Sequence, residues 1–254
     1  MQRILILGGT AEARQLAARL AARTDLAVTL SLAGRTASPA PQPVPVRSGG
    51  FGGADGLADY LSAARIDALI DATHPYAATI SENAARAASQ TGVAFLALRR
   101  PPWPRMAGDR WIEVADVAGA VAALGEAPRR VFVTLGRNEL APLLRAPQHH
   151  YLIRSVDPVD PPLALPHADY VTARGPFDEA AERALMTKER IALVVSKNSG
   201  GPASYGKIAA ARALGVPVIM LRRPALPTAP SVETIDDVLA WLDHAVTPVA
   251  PRGV

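Results

Sequence analysis

The segment Ile4–Arg14 reads ILILGGTAEAR, and it sets the interpretation of the whole chain. Its four apolar residues predict a buried strand, its two glycines and threonine predict a tight turn, and a helical pattern begins at Ala11. Glycines let a phosphate approach the backbone, and a helix N-terminus offers unpaired N–H groups and a positive dipole end. The full G-x-G-x-x-G spacing is absent, so this motif alone leaves open both a dinucleotide site and a βα turn without a ligand.

Short apolar runs then alternate with helical patterns along nearly the whole chain, which predicts βαβ units and parallel sheets. The predicted strands are Arg3–Leu7, Val28–Leu32, Val44–Val46, Ala68–Asp71, Ala94–Leu98, Val131–Leu135, Tyr151–Val156, Tyr170–Ala173, Ile191–Ser196 and Val216–Leu221. The predicted helices are Ala11–Arg23, Ala54–Ala64, Tyr76–Ser89, Val117–Leu124, Asp178–Lys188, Ala203–Leu214 and Val232–His244.

The segment Arg99–Pro104, RRPPWP, interrupts this alternation. Its three prolines remove N–H donors and fix φ, so it suits neither a helix nor a central strand. The pattern restarts afterwards, which predicts a domain of residues 1–99 and a second of residues 100–254. We expect an α/β protein of two Rossmann-like parallel-sheet domains that face each other across a cleft, because such sheets bind ligands at the C-terminal ends of their strands.

Composition narrows the class of protein. The chain has no cysteine, so disulfides, catalytic thiols and thiolate metal ligands are excluded, and its histidines show no metal-ligand spacing with acids. Met1 leads directly into a strand pattern and no stretch approaches about 20 apolar residues, so we expect a soluble, cytoplasmic protein without membrane contact. The net charge is +4, carried almost wholly by scattered arginines without interleaved aromatics, which favours a small anionic ligand over nucleic acid.

The end of the second predicted strand bears on the choice of dinucleotide. NAD-binding folds place an acid there, about 20 residues after the glycines, to bind the ribose hydroxyls. The segment Ser31–Thr36 reads SLAGRT and has no acid. Arg35, with Ser31 and Thr36 near it, suits the 2′-phosphate of NADP, whereas the alternative is a surface arginine in a loop.

The segment Asp71–Ala77, DATHPYA, follows the fourth predicted strand. Thr73 can cap the following helix, and Pro75 suits its first turn. Capping does not account for His74 and Tyr76, which are candidates to line the pocket or to donate a proton.

Two segments of the second half repeat this placement at strand ends. In Thr134–Leu140, TLGRNEL, Gly136 permits a turn, Asn138 is expected to cap a helix, and Arg137 can then reach the cleft. The loop Ser196–Gly201, SKNSGG, is similar to an anion cradle of N–H groups, hydroxyls and point charges, and Lys207 lies shortly beyond it. A flexible linker is the alternative for this loop.

The set formed by Gly8–Ala13, Asp71–Ala77, Gly136–Asn138 and Ser196–Gly201 resembles the precorrin-6A reductase family, which includes relatives acting on the cobalt-containing substrate. The resemblance covers the whole chain in order. It implies that NADPH reduces one double bond of the macrocycle of precorrin-6A to give precorrin-6B in cobalamin biosynthesis. A tetrapyrrole with many carboxylates also suits the scattered arginines, and the resemblance leads us to expect transient contact with neighbouring pathway enzymes.

The resemblance assigns NADP(H) to domain 1–99 and the substrate to domain 100–254. The candidate cofactor residues are Gly8, Gly9, Thr10, Glu12, Ser31, Gly34, Arg35, Thr36 and Thr73. The candidate substrate residues are Arg137, Asn138, Ser196, Asn198, Ser199, Gly200, Gly201 and Lys207. The candidate catalytic residues are His74, Tyr76 and Lys197, with the proton donor open between them and water, and no metal is expected.

Two other functions remain open from the sequence. One is an NADP-dependent reductase of another small anionic substrate, although Tyr205 and Lys207 are two residues apart and lack the Tyr-x-x-x-Lys spacing of short-chain dehydrogenases. The other is a non-catalytic dinucleotide sensor, which would have no use for the lysine loop of the second half.

Overall fold

The computed structural model of the chain describes residues 1–34 and 41–245. Arg35 and Thr36, which were predicted to contact the 2′-phosphate, lie outside the described residues. The chain forms two compact units. The first contains residues 1–100 and the C-terminal segment from Pro224, and the second is Pro101–Arg223.

The strands are β1 (Gln2–Leu7), β2 (Leu26–Leu32), β3 (Val46–Ser48), β4 (Ala68–Asp71), β5 (Ala94–Leu98), β6 (Trp111–Val114), β7 (Arg130–Val133), β8 (His150–Ser155), β9 (Ala168–Thr172), β10 (Leu193–Lys197), β11 (Val218–Leu221) and β12 (Ser231–Val232). The α-helices are α1 (Ala11–Leu20), α2 (Gly53–Ala63), α3 (Ala78–Thr91), α4 (Val117–Ala123), α5 (Glu179–Lys188), α6 (Gly206–Ala213) and α7 (Ile235–Ala245). Two short 3-10 helices, Arg137–Glu139 and Ala141–Arg145, follow β7.

The strands form two six-stranded sheets, and every pairing in both is parallel. The first sheet has the order β12-β5-β4-β1-β2-β3, and the second has the order β6-β11-β10-β7-β8-β9. The five strands other than β12 and β6 follow the same order in both sheets, so β1 corresponds to β7 and β4 corresponds to β10. This confirms the predicted α/β class with two Rossmann-like parallel sheets.

Each sheet is completed by an edge strand that was not predicted. β12 joins the first sheet, where Ser231 and Val232 pair with Ala97 and Leu98 of β5. β6 joins the second sheet through β11. The predicted second domain, 100–254, is therefore too long, because β12 and α7 return to the first unit.

Helices cover both faces of the first sheet, and β1 shows why. Ile4 and Ile6 pack in one core with α1 and α7, whereas Leu5 and Leu7 pack in the other with α2 and α3. A strand buried on both faces is a continuous apolar run, which is how β1 was recognised in the sequence.

In the second sheet, α5 and α6 pack together and contribute Met186 and Ile208 to a core with Phe132 and Val194. Helix α4 packs against β6 and β11. Among the described residues, no helix combines the length and the apolar character that crossing a membrane requires.

Candidate cofactor and substrate sites

The first sheet has its topological switch point between β1 and β4. These strands are neighbours, and Leu7 pairs with Asp71 at their C-terminal ends. From there the chain runs through α1 to β2 on one side and through α3 to β5 on the other. Ligands of doubly wound sheets bind in the crevice at such a point.

The turn after β1 depends on both glycines. The Gly8 N–H donates to the carbonyl of Ser31 at 2.9 Å, and a Cβ on Gly8 would lie 2.6 Å from Cδ1 of the buried Leu30. Gly9 has φ of +113°, which disfavours any side chain, and a Cβ there would meet no atom within 4 Å. The turn therefore holds the backbone close to β2 and leaves open space above Gly9.

Thr10 caps helix α1. Its Oγ1 accepts from the N–H of Ala13 at 3.0 Å and donates to the carbonyl of Ala72 at 2.8 Å. The hydroxyl thus ties the turn after β1 to the end of β4. The N–H groups of Ala11 and Glu12 precede the first intrahelical bonds and lie at the positive end of the helix dipole. An anion can be bound here by backbone N–H groups.

The loop after β4 is held by Asp71, which is only 3% exposed. Its Oδ1 accepts from the N–H of Thr73 at 3.1 Å and from the Thr73 hydroxyl at 2.6 Å, and its Oδ2 accepts from the Ser81 hydroxyl at 2.6 Å. The predicted capping by Thr73 is wrong, because its hydroxyl donates to Asp71 and α3 begins only at Ala78.

His74 and Tyr76 lie together on this loop. The carbonyl of His74 accepts from the N–H of Ala77 at 2.7 Å, which closes a turn with Pro75 at its second position. The two rings are 5.6 Å apart, and the N–H of Tyr76 donates to Nδ1 of His74 at 3.3 Å. A neutral imidazole that accepts at Nδ1 carries its proton on Nε2.

Arg100, which was not predicted, also belongs to this edge of the first sheet. A small hollow here is lined by Thr10, Glu12, Ala72, Thr73, Pro75, Leu98 and Arg100. The Arg100 guanidinium forms an ion pair with the Glu12 carboxylate, and both side chains are largely buried. The cation offsets the negative charge that Glu12 would otherwise place in the first turn of α1.

The end of β2 lies on the other side of the glycine turn. Ser31 is buried, and the left-handed turn residue Gly34 (φ +70°) packs near the backbone of Gly49. Both residues were predicted to contact the cofactor, and the structure brings Ser31 into direct contact with Gly8.

The second sheet has its switch point between β7 and β10. The turn at Gly136 is followed by the 3-10 helix Arg137–Glu139, so Asn138 lies inside that helix and does not cap it, contrary to prediction. Gly136 has an ordinary φ of −68°, and its N–H donates to Oε2 of Glu139 at 3.2 Å. A Cβ on Gly136 would lie 3.0 Å from that oxygen, so the missing side chain makes room for the carboxylate.

Lys197, at the end of β10, reaches the same carboxylate. Its Nζ lies 2.5 Å from Oε2 of Glu139, and the lysine side chain is largely buried. Glu139 was not predicted, although it stands three residues after the glycine of the GRNE motif. The loops after β7 and β10 are thus joined by an ion pair.

The predicted anion cradle Ser196–Gly201 is largely a packing element. Asn198 accepts from the Trp103 N–H at 2.8 Å and donates to the Trp103 carbonyl at 3.1 Å, and the Ser199 N–H donates to the Lys197 carbonyl. The carbonyl of Gly201 accepts from the indole N–H of Trp103 at 2.8 Å. A Cβ on Gly200 would lie 2.2 Å from the carbonyl oxygen of Pro101, so this loop holds the segment that starts the second unit.

Two further candidate substrate residues, Ser196 and Lys207, are buried. Ser196 is fully buried, and its hydroxyl donates to the Lys197 carbonyl at 3.1 Å. Lys207 is 4% exposed, its amine donates to the Ser204 carbonyl at 2.8 Å, and burial lowers its pKa to about 7. Each of the two side chains thus already donates to a backbone carbonyl.

Arg137 and Asn138 line a cavity of about 440 Å³ in the second unit. The other lining residues are Leu140, Ala141, Leu144, Val159, Asp160, Pro161 and Leu163. The cavity combines apolar walls with one arginine, one amide and one carboxylate, a mixture that suits an organic anion. In the described residues, no cluster of three or more histidine and acidic side chains is placed to hold a metal ion.

The comparisons with known proteins agree with one another. The family model described as precorrin-6x reductase CbiJ/CobK matches residues 3–243. The chain belongs to this family. It is 56% identical to the precorrin-6A reductase of Sinorhizobium sp over 97% of this chain and 94% of that protein. It is 51% identical to the Rhodobacter capsulatus precorrin-6A reductase over the full length of both.

A solved structure titled CobK precorrin-6A reductase matches all of this chain and all of its own, with a TM-score of 0.91 and 50% identity. The fold of this chain is therefore that of the solved precorrin-6A reductase.

Proposed function

We propose that this chain reduces one double bond of the precorrin-6A macrocycle with NADPH, giving the dihydro product precorrin-6B in cobalamin biosynthesis. The observation that carries the proposal is the family match over residues 3–243 together with a glycine turn at the switch point of the first sheet. We further propose that the first unit binds the cofactor and the second binds the substrate.

The protein backbone at the first switch point suits the phosphates of the cofactor. The open space at Gly9 and the N–H groups at the start of α1 suit a pyrophosphate. Gly8 holds that turn against β2, and Thr10 holds it against β4. The positive charge of Arg100 neutralises the carboxylate of Glu12. Arg35 and Thr36 are proposed to contact the 2′-phosphate. NADPH supplies the hydride when it is bound there.

The second unit offers positive charge for the carboxylates of the tetrapyrrole. Arg137 provides a planar guanidinium in the cavity wall, where bidentate contact with a carboxylate is favourable. Lys197 is held by Glu139, so a substrate carboxylate would exchange with a carboxylate that the chain already supplies. Asn138 supports the same function as an amide donor in the cavity.

The reaction adds a hydride to one carbon of the double bond and a proton to its neighbour. His74 and the Tyr76 hydroxyl, on the loop after β4, are the proposed proton donors, and Lys197 or water are the alternatives. Asp71 positions the loop that carries His74 and Tyr76.

The test is anaerobic mixing of the purified protein with precorrin-6A and either NADPH or NADH, with cofactor absorbance and product mass as readouts. We expect one NADPH oxidised for each product molecule, and a mass gain of two hydrogens. Tight NADPH binding without oxidation would contradict the proposal, and turnover only of the cobalt-containing analogue would correct the substrate.

A further inference from the structure

An arginine that no prediction included lies beside the proposed cofactor site. Arg47 is on β3 and pairs in register with Ser31 of β2. Both residues are near the C-terminal ends of their strands. In dinucleotide-binding sheets the end of the second strand faces the adenosine ribose, and the charge found there selects between NAD and NADP.

The Arg47 guanidinium is fixed by its surroundings. Nη1 donates to the carbonyl of Gly49 at 2.6 Å, and Nη2 donates to the carbonyl of Gly50 at 2.7 Å. Its Cζ lies 3.7 Å from the centroid of the Phe51 ring and 5.2 Å from that of Tyr60. Stacking and hydrogen bonding together hold the plane of the cation, so little side-chain entropy is left to lose when an anion binds.

Ser31 connects this arginine to the glycine turn. Its carbonyl accepts from the N–H of Gly8, and its hydroxyl lies 3.4 Å from Nη1 of Arg47. One buried residue therefore touches both the turn proposed to hold the pyrophosphate and the cation on the neighbouring strand. The next residues along the chain, Leu32, Ala33 and Gly34, supply no acid to bind ribose hydroxyls.

We propose that Arg47 is a specificity-determining residue that binds the 2′-phosphate of NADPH, with the Ser31 hydroxyl beside it. A guanidinium carries five N–H groups, and the contacts with Ser31, Gly49 and Gly50 use three of them in the described part of the chain. The inference rests on the proposed NADPH-dependent function and adds Arg47 to Arg35 and Thr36 as a residue that favours NADPH over NADH.

A purely structural role makes a different prediction. If Arg47 only held the backbone of Gly49 and Gly50, its loss would weaken NADPH and NADH to the same degree, because both share the ribose and the pyrophosphate. Contact with the 2′-phosphate affects NADPH alone. The ratio between the two cofactors therefore separates specificity from stability.

The experiment compares the full-length protein with Arg47→Gln, Arg47→Lys and the control Arg86→Gln. Arg86 is an exposed arginine of α3, so its substitution removes the same charge elsewhere in the first unit. Binding of 2′,5′-ADP and of 5′-ADP is measured by calorimetry, and kcat/KM is measured with NADPH and with NADH. Thermal unfolding checks that each variant is folded.

We expect Arg47→Gln to weaken 2′,5′-ADP about 10- to 100-fold and to change 5′-ADP by less than about threefold, the range for charge-assisted bonds to a phosphate. The affinity of Arg47→Lys for 2′,5′-ADP should lie between those of the unsubstituted protein and Arg47→Gln, because a lysine keeps the charge but lacks the two parallel N–H donors of a guanidinium. The NADPH to NADH ratio of kcat/KM should drop with Arg47→Gln and stay unchanged with Arg86→Gln.

Two outcomes would overturn different claims. If the unsubstituted protein shows no preference for NADPH over NADH, the NADPH dependence in the proposed function is wrong. If it prefers NADPH and Arg47→Gln keeps the full preference, the cofactor stands and the Arg47 assignment is wrong. An equal loss for both nucleotides would assign Arg47 a structural role only.

Discussion

The two sheets have the same strand order, yet the turns at their switch points differ. In the first sheet, Gly9 adopts a positive φ, and α1 begins directly after Thr10. In the second sheet, Gly136 has an ordinary φ and leads into a 3-10 helix of three residues. The N–H of Gly136 is bound by the carboxylate of Glu139, whereas the first turn keeps its N–H groups at the end of a ten-residue helix.

The difference shows how one topology supplies two kinds of site. A pyrophosphate approaching Gly136 would meet the negative charge of Glu139 and only a short 3-10 helix, whose dipole is small. A substrate carboxylate approaching Lys197 would meet an ammonium group whose position is already fixed by its ion pair with Glu139. We propose that the segment after each glycine separates the cofactor from the substrate; two substitutions test that separation, and two more compare the polar residues that the two sheets bury.

The largest effect is expected for Gly9→Ala, compared with Gly136→Ala. A side chain at Gly9 is strained at φ +113° and occupies the space where a phosphate approaches, so we expect the Kd for NADPH to rise on the order of 100-fold. Fluorescence titration with NADPH measures it. Gly136→Ala should change that Kd by less than about twofold, since Gly136 has an ordinary φ and lies in the unit proposed to bind the substrate. Equal weakening by both variants would remove the distinction between the turns.

The second effect concerns the substrate. Lys197→Met removes the amine that is proposed to bind a carboxylate, and we expect KM for precorrin-6A to rise roughly 10-fold or more while the Kd for NADPH stays unchanged. Steady-state kinetics at saturating NADPH measures it. Gly9→Ala serves as the opposite control, because its defect should lie in NADPH binding. Loss of NADPH binding in Lys197→Met would contradict the assignment of the second unit.

The sequence predicts the regular part of both sheets well and their edges poorly. The predicted strands Ala68–Asp71 and Ala94–Leu98 have the bounds of β4 and β5, because a strand buried on both faces is a continuous apolar run. Strands β6 and β12 are short edge strands, and their pairing with distant strands is decided by tertiary structure. For the same reason the sequence does not show that the C-terminal segment returns to the first unit.

At the candidate site, the turn at Gly8 and Gly9 was predicted, because backbone chemistry decides it. It was missed where two local partners compete. Thr73 can cap a helix or donate to Asp71, and only the folded chain shows which one occurs. Lys207 looked like a free cation near a polar loop, and its burial depends on the packing of α6. Glu139 could have been found from the acid that stands after the second glycine turn.

A third prediction compares two buried polar residues, one on the helix after β4 and one on the helix after β10. Ser81 of α3 donates to Asp71, whereas Lys207 of α6 is a buried amine with a pKa of about 7. Between pH 7 and about 10.5 the unfolded chain keeps the proton that folded Lys207 releases, so stability rises with pH across this window. Lys207→Met should reduce this rise by roughly 2 kcal/mol or more.

Urea unfolding at several pH values measures this effect, and Lys188→Met is the matched control. Lys188 is an exposed lysine of α5 whose side chain is 80% accessible, so its removal should leave the pH dependence unchanged. The same slope in Lys207→Met and in the unsubstituted protein would mean that the buried amine keeps its ordinary pKa.

The smallest effect is expected for Ser81→Ala in the first sheet. Oδ2 of the buried Asp71 loses its hydroxyl donor, which should lower the free energy of unfolding by about 1–2 kcal/mol. Chemical denaturation measures the loss, and Ser89→Ala on the exposed side of α3 is the control. Because Asp71 still binds Thr73, kcat/KM for precorrin-6A should fall less than in Lys197→Met. An unchanged stability would mean that this bond is not important for the loop after β4.

The division between the two turns is tested most directly by hydrogen–deuterium exchange of the intact chain with and without NADPH. We expect NADPH to slow exchange in peptides covering residues 8–14 and 71–77 and to leave residues 134–140 and 196–201 unchanged. Protection at residues 134–140 without protection at residues 8–14 would contradict the division, since the cofactor would then bind at the turn that Glu139 occupies.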